Sequence, residues 1–192
     1  SDLRIAPAYD RLNHTLSFQI DKLWRRHVVR IVRRMQPRRI LDVATGTGDL
    51  ALAMARRMRG VQVLGVDLSE NMLAEARRKA TACGLDERVV LSLGDAERLE
   101  VADASVDVVT VAFGVRNFGD LGAGLREIAR VLKPGGNFLI CNESNGDSDK
   151  DERWTEIIGG MTIYKDIQLK AYLEQTGFHD VQIHKKKSWL CI

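Results

Sequence analysis

Leu41-Asp42-Val43-Ala44-Thr45-Gly46-Thr47-Gly48-Asp49-Leu50-Ala51 (LDVATGTGDLA) is the stretch that decides the fold. Arg39–Ala44 is a short, mostly apolar run without polar alternation, as in a parallel strand covered on both faces. A glycine-rich turn follows it, and then a helical stretch over Leu50–Met58. Outward from there the same alternation repeats. Further strands are predicted at Val61–Val66, Arg88–Leu93, Val106–Ala112 and Asn137–Cys141. Helices are predicted over Ser69–Ala82, with Ser69 as N-cap and Gly84 at the end, and over Leu121–Leu132, stopped by Lys133-Pro134-Gly135-Gly136. A helix over Asp166–Thr176 leads to two last strands, Phe178–His184 and Lys187–Ile192, read as an antiparallel hairpin at one sheet edge. Strands alternating with helices give an α/β sandwich around a seven-stranded, mostly parallel sheet.

The chain of 192 residues suits one domain, with a helical N-terminal part over residues 1–36 and an α/β core over 37–192. Apolar residues at 45% and charged ones at 29% exclude a disordered chain. No apolar run approaches the ~20 residues that span a bilayer, and no secretory signal is visible. Three cysteines, Cys83, Cys141 and Cys191, stand at no metal-like spacing, so neither a disulfide framework nor a metal site is expected and a reducing cytoplasm is. Residues 1–39 hold ten Lys and Arg against three Asp and Glu, an excess that the remainder more than half offsets. Much of that excess lies on a predicted amphipathic helix, Phe18–Met35. Its apolar stripe is Phe18, Trp24, Val28, Ile31 and Met35, widened by Leu23 and Val32. Its other face carries Lys22, Arg25, Arg26, Arg30, Arg33 and Arg34. A solvated face and peripheral contact with an anionic membrane are both readings of it. Nucleic acid is not expected, because no aromatic residues interleave with the arginines.

In an open α/β sheet, ligands bind outside the carboxyl ends of the strands where strand order reverses. Those ends carry the unusual residues. Gly46 and Gly48 after the first strand let the backbone turn and approach a ligand. Asp67 after the second strand can accept both ribose hydroxyls of an adenosine. Asp95 after the third can take an adenine amine, while Ala96 offers its N–H. Two cofactors meet this pattern. The spacing Gly46-x-Gly48-x-x-Ala51 satisfies a permissive dinucleotide fingerprint. A pyrophosphate, however, prefers a helix N-terminus without a competing anion. Asp49 sits just there and Asp42 lies in the strand. Asp42, Asp67 and Asp95 together favour S-adenosylmethionine, which has two cationic centres and no phosphate.

LDVATGTGDLA, GVDLSENML (Gly65–Leu73), GDAERL (Gly94–Leu99) and LKPGG (Leu132–Gly136) resemble the successive motifs of Rossmann-like class I S-adenosylmethionine-dependent methyltransferases. YDRLNHTLSFQIDKLWRR (Tyr9–Arg26) and VTVAFGVRNFGDLGAGLREIARVLKPGG (Val109–Gly136) are similar to the narrower UbiE/MenG family, which C-methylates a polyprenylated quinol in ubiquinone and menaquinone biosynthesis. The resemblance covers about residues 4–136. It implies cofactor contacts at Thr47, Asp67, Leu68, Asp95, Ala96 and Ala112, with Gly46 and Gly48 shaping the methionine side. It implies Tyr9, on an N-terminal helical cap, near substrate and cofactor, and Arg116 and Asn117 facing the ring.

Ile140–Ile192 resembles another group of class I methyltransferases. Either this branch is short, or two related enzymes join near Gly135-Gly136. About twenty residues link strand five to the next helix, where the family carries a long helical insertion. A different small acceptor, a nicotinamide dehydrogenase and a non-catalytic cofactor-binding protein are the rival functions. Arg116 either stabilises a developing phenolate or pairs with a carboxylate to fix its loop. His14 and His27 complete no catalytic constellation. The sequence does not bear on oligomeric state.

Overall fold

The computed structural model describes residues 23–142, 164–186 and 189–191. The chain divides into two compact units between Gln36 and Pro37. In the first, residues 23–34 form helix α1. Trp24, Val28, Val29 and Val32 are buried along it, while Arg26, Arg30, Arg33 and Arg34 are exposed. The apolar stripe is narrower than its sequence suggested. Leu23 is exposed, and Ile31 and Met35 are only half-buried. The helix start expected at Phe18 lies outside the described residues, as do Tyr9 and His14.

The second unit runs β1 (Arg39–Val43), α2 (Asp49–Arg57), β2 (Gln62–Asp67), α3 (Glu70–Ala82), β3 (Val89–Leu93) and β4 (Val106–Ala112). It continues with a 3-10 turn (Val115–Asn117), α4 (Leu121–Val131), β5 (Leu132–Asn142), α5 (Asp166–Gln175), β6 (His184–Lys186) and β7 (Trp189–Cys191). The strand order is β3-β2-β1-β4-β5-β7-β6. The first five strands are parallel. The chain therefore walks outward from β1 to β3 and returns to lay β4 on β1's other side. That return makes the reversal point between β1 and β4.

β7 pairs antiparallel with β5, and β6 with β7. The strand expected from Phe178 begins only at His184. The Phe178 ring instead lies 5.3 Å from that of Phe138 on β5, so its apolar character serves packing and not a ladder. β5 starts earlier than expected. Its Leu132 already pairs with Val106, and the register shifts before Val108 meets Asn137. The β5–α5 connection lies almost wholly outside the described residues.

Alternation along β1 sets the two faces. Leu41 and Val43 join Val109, Val111, Leu125, Ile128, Ile140, Leu169 and Leu173 in one buried cluster with α4 and α5. Each such fully buried aliphatic side chain contributes roughly 1.5–3 kcal/mol. Ile40 and Asp42 point the other way, and helices α2 and α3 bury Ala51, Met54, Ala55, Leu73, Ala76 and Ala80.

Two polar ties fix β1 against β4. At the strand starts, Asp107 accepts the backbone N–H groups of Arg38 and Arg39 at 2.8 Å each, and Lys133 donates to its other oxygen at 2.7 Å. Burial raises the Asp107 pKa, but Lys133 and the two amides outweigh it and hold the carboxyl below its usual range. At the strand ends, Asp42 bonds Thr110, its direct neighbour in register.

Candidate functional site

The ends of β1, β2, β3 and β4 bring Gly46, Thr47, Gly48, Asp67, Leu68, Asp95, Ala96 and Ala112 to one rim, while Tyr9 lies outside the described residues. β1 runs into Ala44–Gly48, where Ala44, Gly46 and Gly48 all have positive φ, at 54°, 57° and 75°. The turn closes on itself through the Gly48 N–H to the Thr45 carbonyl at 3.0 Å, and through the Thr45 N–H to Val66 O at 3.0 Å. A Cβ at Gly46 would meet nothing within 4 Å, whereas one at Gly48 would lie 2.9 Å from Ala76 Cβ on α3. Gly48 thus lets the loop seat on α3, and Gly46 leaves its backbone bare toward open space.

Asp67 is the carboxylate around which the rim is arranged. One oxygen accepts the Gly46 N–H at 2.7 Å and the other accepts the Ser69 N–H at 2.9 Å. Each oxygen keeps a further lone pair, which suits two vicinal hydroxyls. Ser69 caps α3 by accepting from the Met72 N–H. Leu68 and Met72, beside it, are 68% and 47% exposed, an apolar surface next to the Asp67 carboxylate. At the end of β3, Asp95 is exposed and its Oδ1 accepts the Glu97 N–H at 2.9 Å, while Ala96 is buried. Arg130 on α4 holds the segment that follows. It donates to the Leu99 and Val101 carbonyls and pairs with Glu127 and Asp103.

Asp42 is not a carboxylate turned toward a ligand. It is 2% exposed. The Thr45 hydroxyl donates to one oxygen at 2.6 Å and the Thr110 hydroxyl to the other at 2.5 Å. Burial pushes its pKa up to about 6, against the lowering effect of the two hydroxyls. Asp42 thereby ties the glycine loop and β4 together from below. Asp49 stands in the first turn of α2, and Lys79 Nζ lies 3.0 Å from it. Lys79 and Arg130 were both missed in the sequence. Each works across elements 30 or 27 residues apart, and no local pattern marks such a pairing.

At the end of β4, half-buried Ala112 leads to Phe113 at φ 60° and to Gly114, where an added Cβ would fall 2.4 Å from Ala44 Cβ. The β1 and β4 loops therefore touch, with room for hydrogen alone at Gly114. Buried Val115 anchors the 3-10 turn, leaving Arg116 half-buried and Asn117 exposed. Among the described residues no group of three His, Cys, Asp or Glu could hold a metal ion. No helix among them is long and apolar enough to cross a membrane.

The residues present fit an adenosyl ligand without phosphate. The open cradle at Gly46 and the Asp67 carboxylate adjoin each other, and Asp49 occupies the α2 N-terminus where a phosphate would go.

Comparison with known proteins agrees with that geometry. The ubiE/COQ5 methyltransferase family model matches residues 3–150. A demethylmenaquinone methyltransferase of Bacteroides fragilis is 41% identical over 179 residues, covering 90% of this chain and 73% of its own. That alignment is too long to stop at Gly136, so similarity to a single enzyme continues into the C-terminal third. A demethylmenaquinone methyltransferase of Thermus thermophilus is 50% identical over 136 residues, covering 71% of this chain and 61% of its own. Among solved structures, Haemonchus contortus phosphoethanolamine N-methyltransferase 2 in complex with S-adenosyl-L-methionine is 30% identical at a TM-score of 0.68. The match covers 77% of this chain and 34% of that one. The chain belongs to the ubiE/COQ5 family of S-adenosylmethionine-dependent methyltransferases.

Proposed function

We propose that this chain transfers the methyl group of S-adenosylmethionine to a ring carbon of a prenylated quinol of the demethylmenaquinol type. The observation that carries the reading is the similarity to the Bacteroides enzyme, which spans nine-tenths of the chain and both ends of the rim. In this reading Asp67 accepts the ribose hydroxyls, and Asp95 with the Ala96 N–H reads the adenine. Leu68 covers the base, and Gly46, Thr47, Gly48 and Ala112 line the methionine half. Asp42 acts through Thr45 and Thr110, as a support. In the same reading the chain is a single methyltransferase domain, with a helical N-terminal part over residues 1–36 and a core over 37–192 built on the seven-stranded sheet with its C-terminal hairpin.

When bound, the cofactor supplies an electrophilic methyl on a sulfonium. The protein's part is alignment and exclusion of water. A ring carbon becomes nucleophilic once a neighbouring hydroxyl loses its proton. Arg116 stabilises the negative oxygen left behind, and Asn117 orients the group or water that takes the proton. In this reading the enzyme works in the cytoplasm, and the exposed arginines of α1 suit the anionic face of the membrane that holds its substrate.

The test is turnover of a demethylmenaquinol by Arg116→Ala, beside calorimetry with S-adenosylhomocysteine. Turnover should fall about 10²-fold, the scale of one lost oxyanion donor, with cofactor affinity nearly unchanged. Equal losses in both would remove Arg116 from the chemistry. Methylation of soluble phenols in preference to the quinol would replace the substrate.

A further inference from the structure

Lys79 lies in the last turn of α3, one helical turn beyond Ala76. Residues three apart share a helix face. Ala76 is where Gly48 seats its loop, at a spacing that admits no side chain. Lys79 adds a second point of attachment to the same loop. Its ammonium donates to Thr47 Oγ1 at 2.9 Å, to the Thr47 carbonyl at 3.3 Å and to Asp49 at 3.0 Å. Three donors meet three acceptors, so the lysine is fully used. The Thr47 hydroxyl, accepting from Lys79, donates in turn to Asp49 at 3.3 Å. The far end of α3 begins at Ser69, whose N–H is bound by Asp67. Asp67 itself accepts the Gly46 N–H, so α3 is tied to the start of the glycine loop through Asp67 and to its end through Lys79.

We propose that Lys79 is a positioning residue for the cofactor: it holds Thr47–Asp49 in the binding shape before the ligand arrives, and it neutralises Asp49. Without it the loop must be ordered by the ligand itself, and binding bears that ordering cost. This inference rests on the S-adenosylmethionine reading.

The test compares two ligands by calorimetry on the full chain. S-adenosylhomocysteine has the amino-acid half that meets the loop. 5′-Methylthioadenosine keeps the nucleoside and lacks that half. Lys79→Met should weaken S-adenosylhomocysteine about tenfold or more, the scale of a hydrogen bond to a charged group. Its effect on methylthioadenosine should be under about threefold, since no bond to a charged group is lost on that side. Parallel losses for the two ligands would make Lys79 a general structural residue and overturn the proposal. Unchanged affinity for S-adenosylhomocysteine would overturn it as well. Should Lys79→Met not fold, Lys79→Arg serves in the same comparison, because its planar fork cannot reproduce the three bonds of the ammonium. The selective loss is again expected, and its absence counts against the proposal. Failure of the wild-type chain to bind either ligand would refute the cofactor reading itself and is distinct from both outcomes.

Discussion

Asp42→Asn changes one buried atom and should change the pH dependence of stability. In the folded chain burial raises the carboxyl pKa to about 6, from an ordinary value of 3.8. Between those values the folded protein keeps a proton that the unfolded chain has released. The native state then binds more protons, so stability falls as pH rises through the window. A shift of about two units corresponds to about 3 kcal/mol, most of it lost between pH 4 and 7. Asparagine carries no such cost and can still hydrogen-bond Thr45 and Thr110. Urea denaturation of both proteins, followed by far-UV circular dichroism at several pH values, gives the difference directly. Carboxylates elsewhere cancel in it, among them Asp107 and Glu127, whose depressed values act with opposite sign. Relative to wild type, Asp42→Asn should gain about 2–3 kcal/mol on going from pH 4 to pH 7. Parallel stability profiles would refute the reasoning, since they would mean that Asp42 is ionised as readily inside the fold as outside it.

Asp67→Ala should weaken S-adenosylhomocysteine by about 1–3 kcal/mol, through unpaired ribose hydroxyls and through release of the Gly46 and Ser69 amides. Calorimetry measures it, and an unchanged affinity would take Asp67 out of the site. Gly114→Ala forces a methyl to within 2.4 Å of the Cβ of Ala44, which itself sits at positive φ. It should cost about 1–3 kcal/mol by overpacking, read as a lower denaturation midpoint, and a wild-type midpoint would show that the two loops part easily.

Much of this architecture can be read from single segments. The apolar runs at β1, β2 and β4 need no polar alternation because both faces are covered, and that is a local signature. Ser69 and the glycines after Gly46 mark helix start and turn by chemistry that acts within a few residues. What failed has a common cause. Asp42 reads as a carboxylate facing a ligand, and Asp49 as a lone anion at a helix start, because a sequence displays charge and hides partners. Thr110 and Lys79 lie 68 and 30 residues from the groups they bind. Phe178 and Val181 looked like a strand because apolar residues near a chain's last turn signals fit either a ladder or a packing contact. The Phe138 ring decided between them. The substrate side is the least legible part. The sequence of Phe113–Phe118 displays an arginine and an asparagine, yet what they would touch depends on a pocket that no local pattern describes.

The long-range ties between β1 and β4 also set the order in which the site can come into being. Asp107 meets Arg38 and Arg39 across 69 and 68 residues, and Asp42 meets Thr110 across 68. Closing loops of that length is entropically unfavourable and slow, and contacts of high sequence separation retard folding. The glycine loop is shaped by Asp42, which is itself held by Thr110, so the loop has no complete support until β4 has inserted beside β1. During synthesis the first hundred residues, though they contain nearly every expected cofactor contact, would emerge without a finished cradle. Ligand binding in this fold is therefore a late event, available only to a chain that has already joined its two half-sheets, and a nascent or truncated fragment ending before β4 gains no stability from the cofactor.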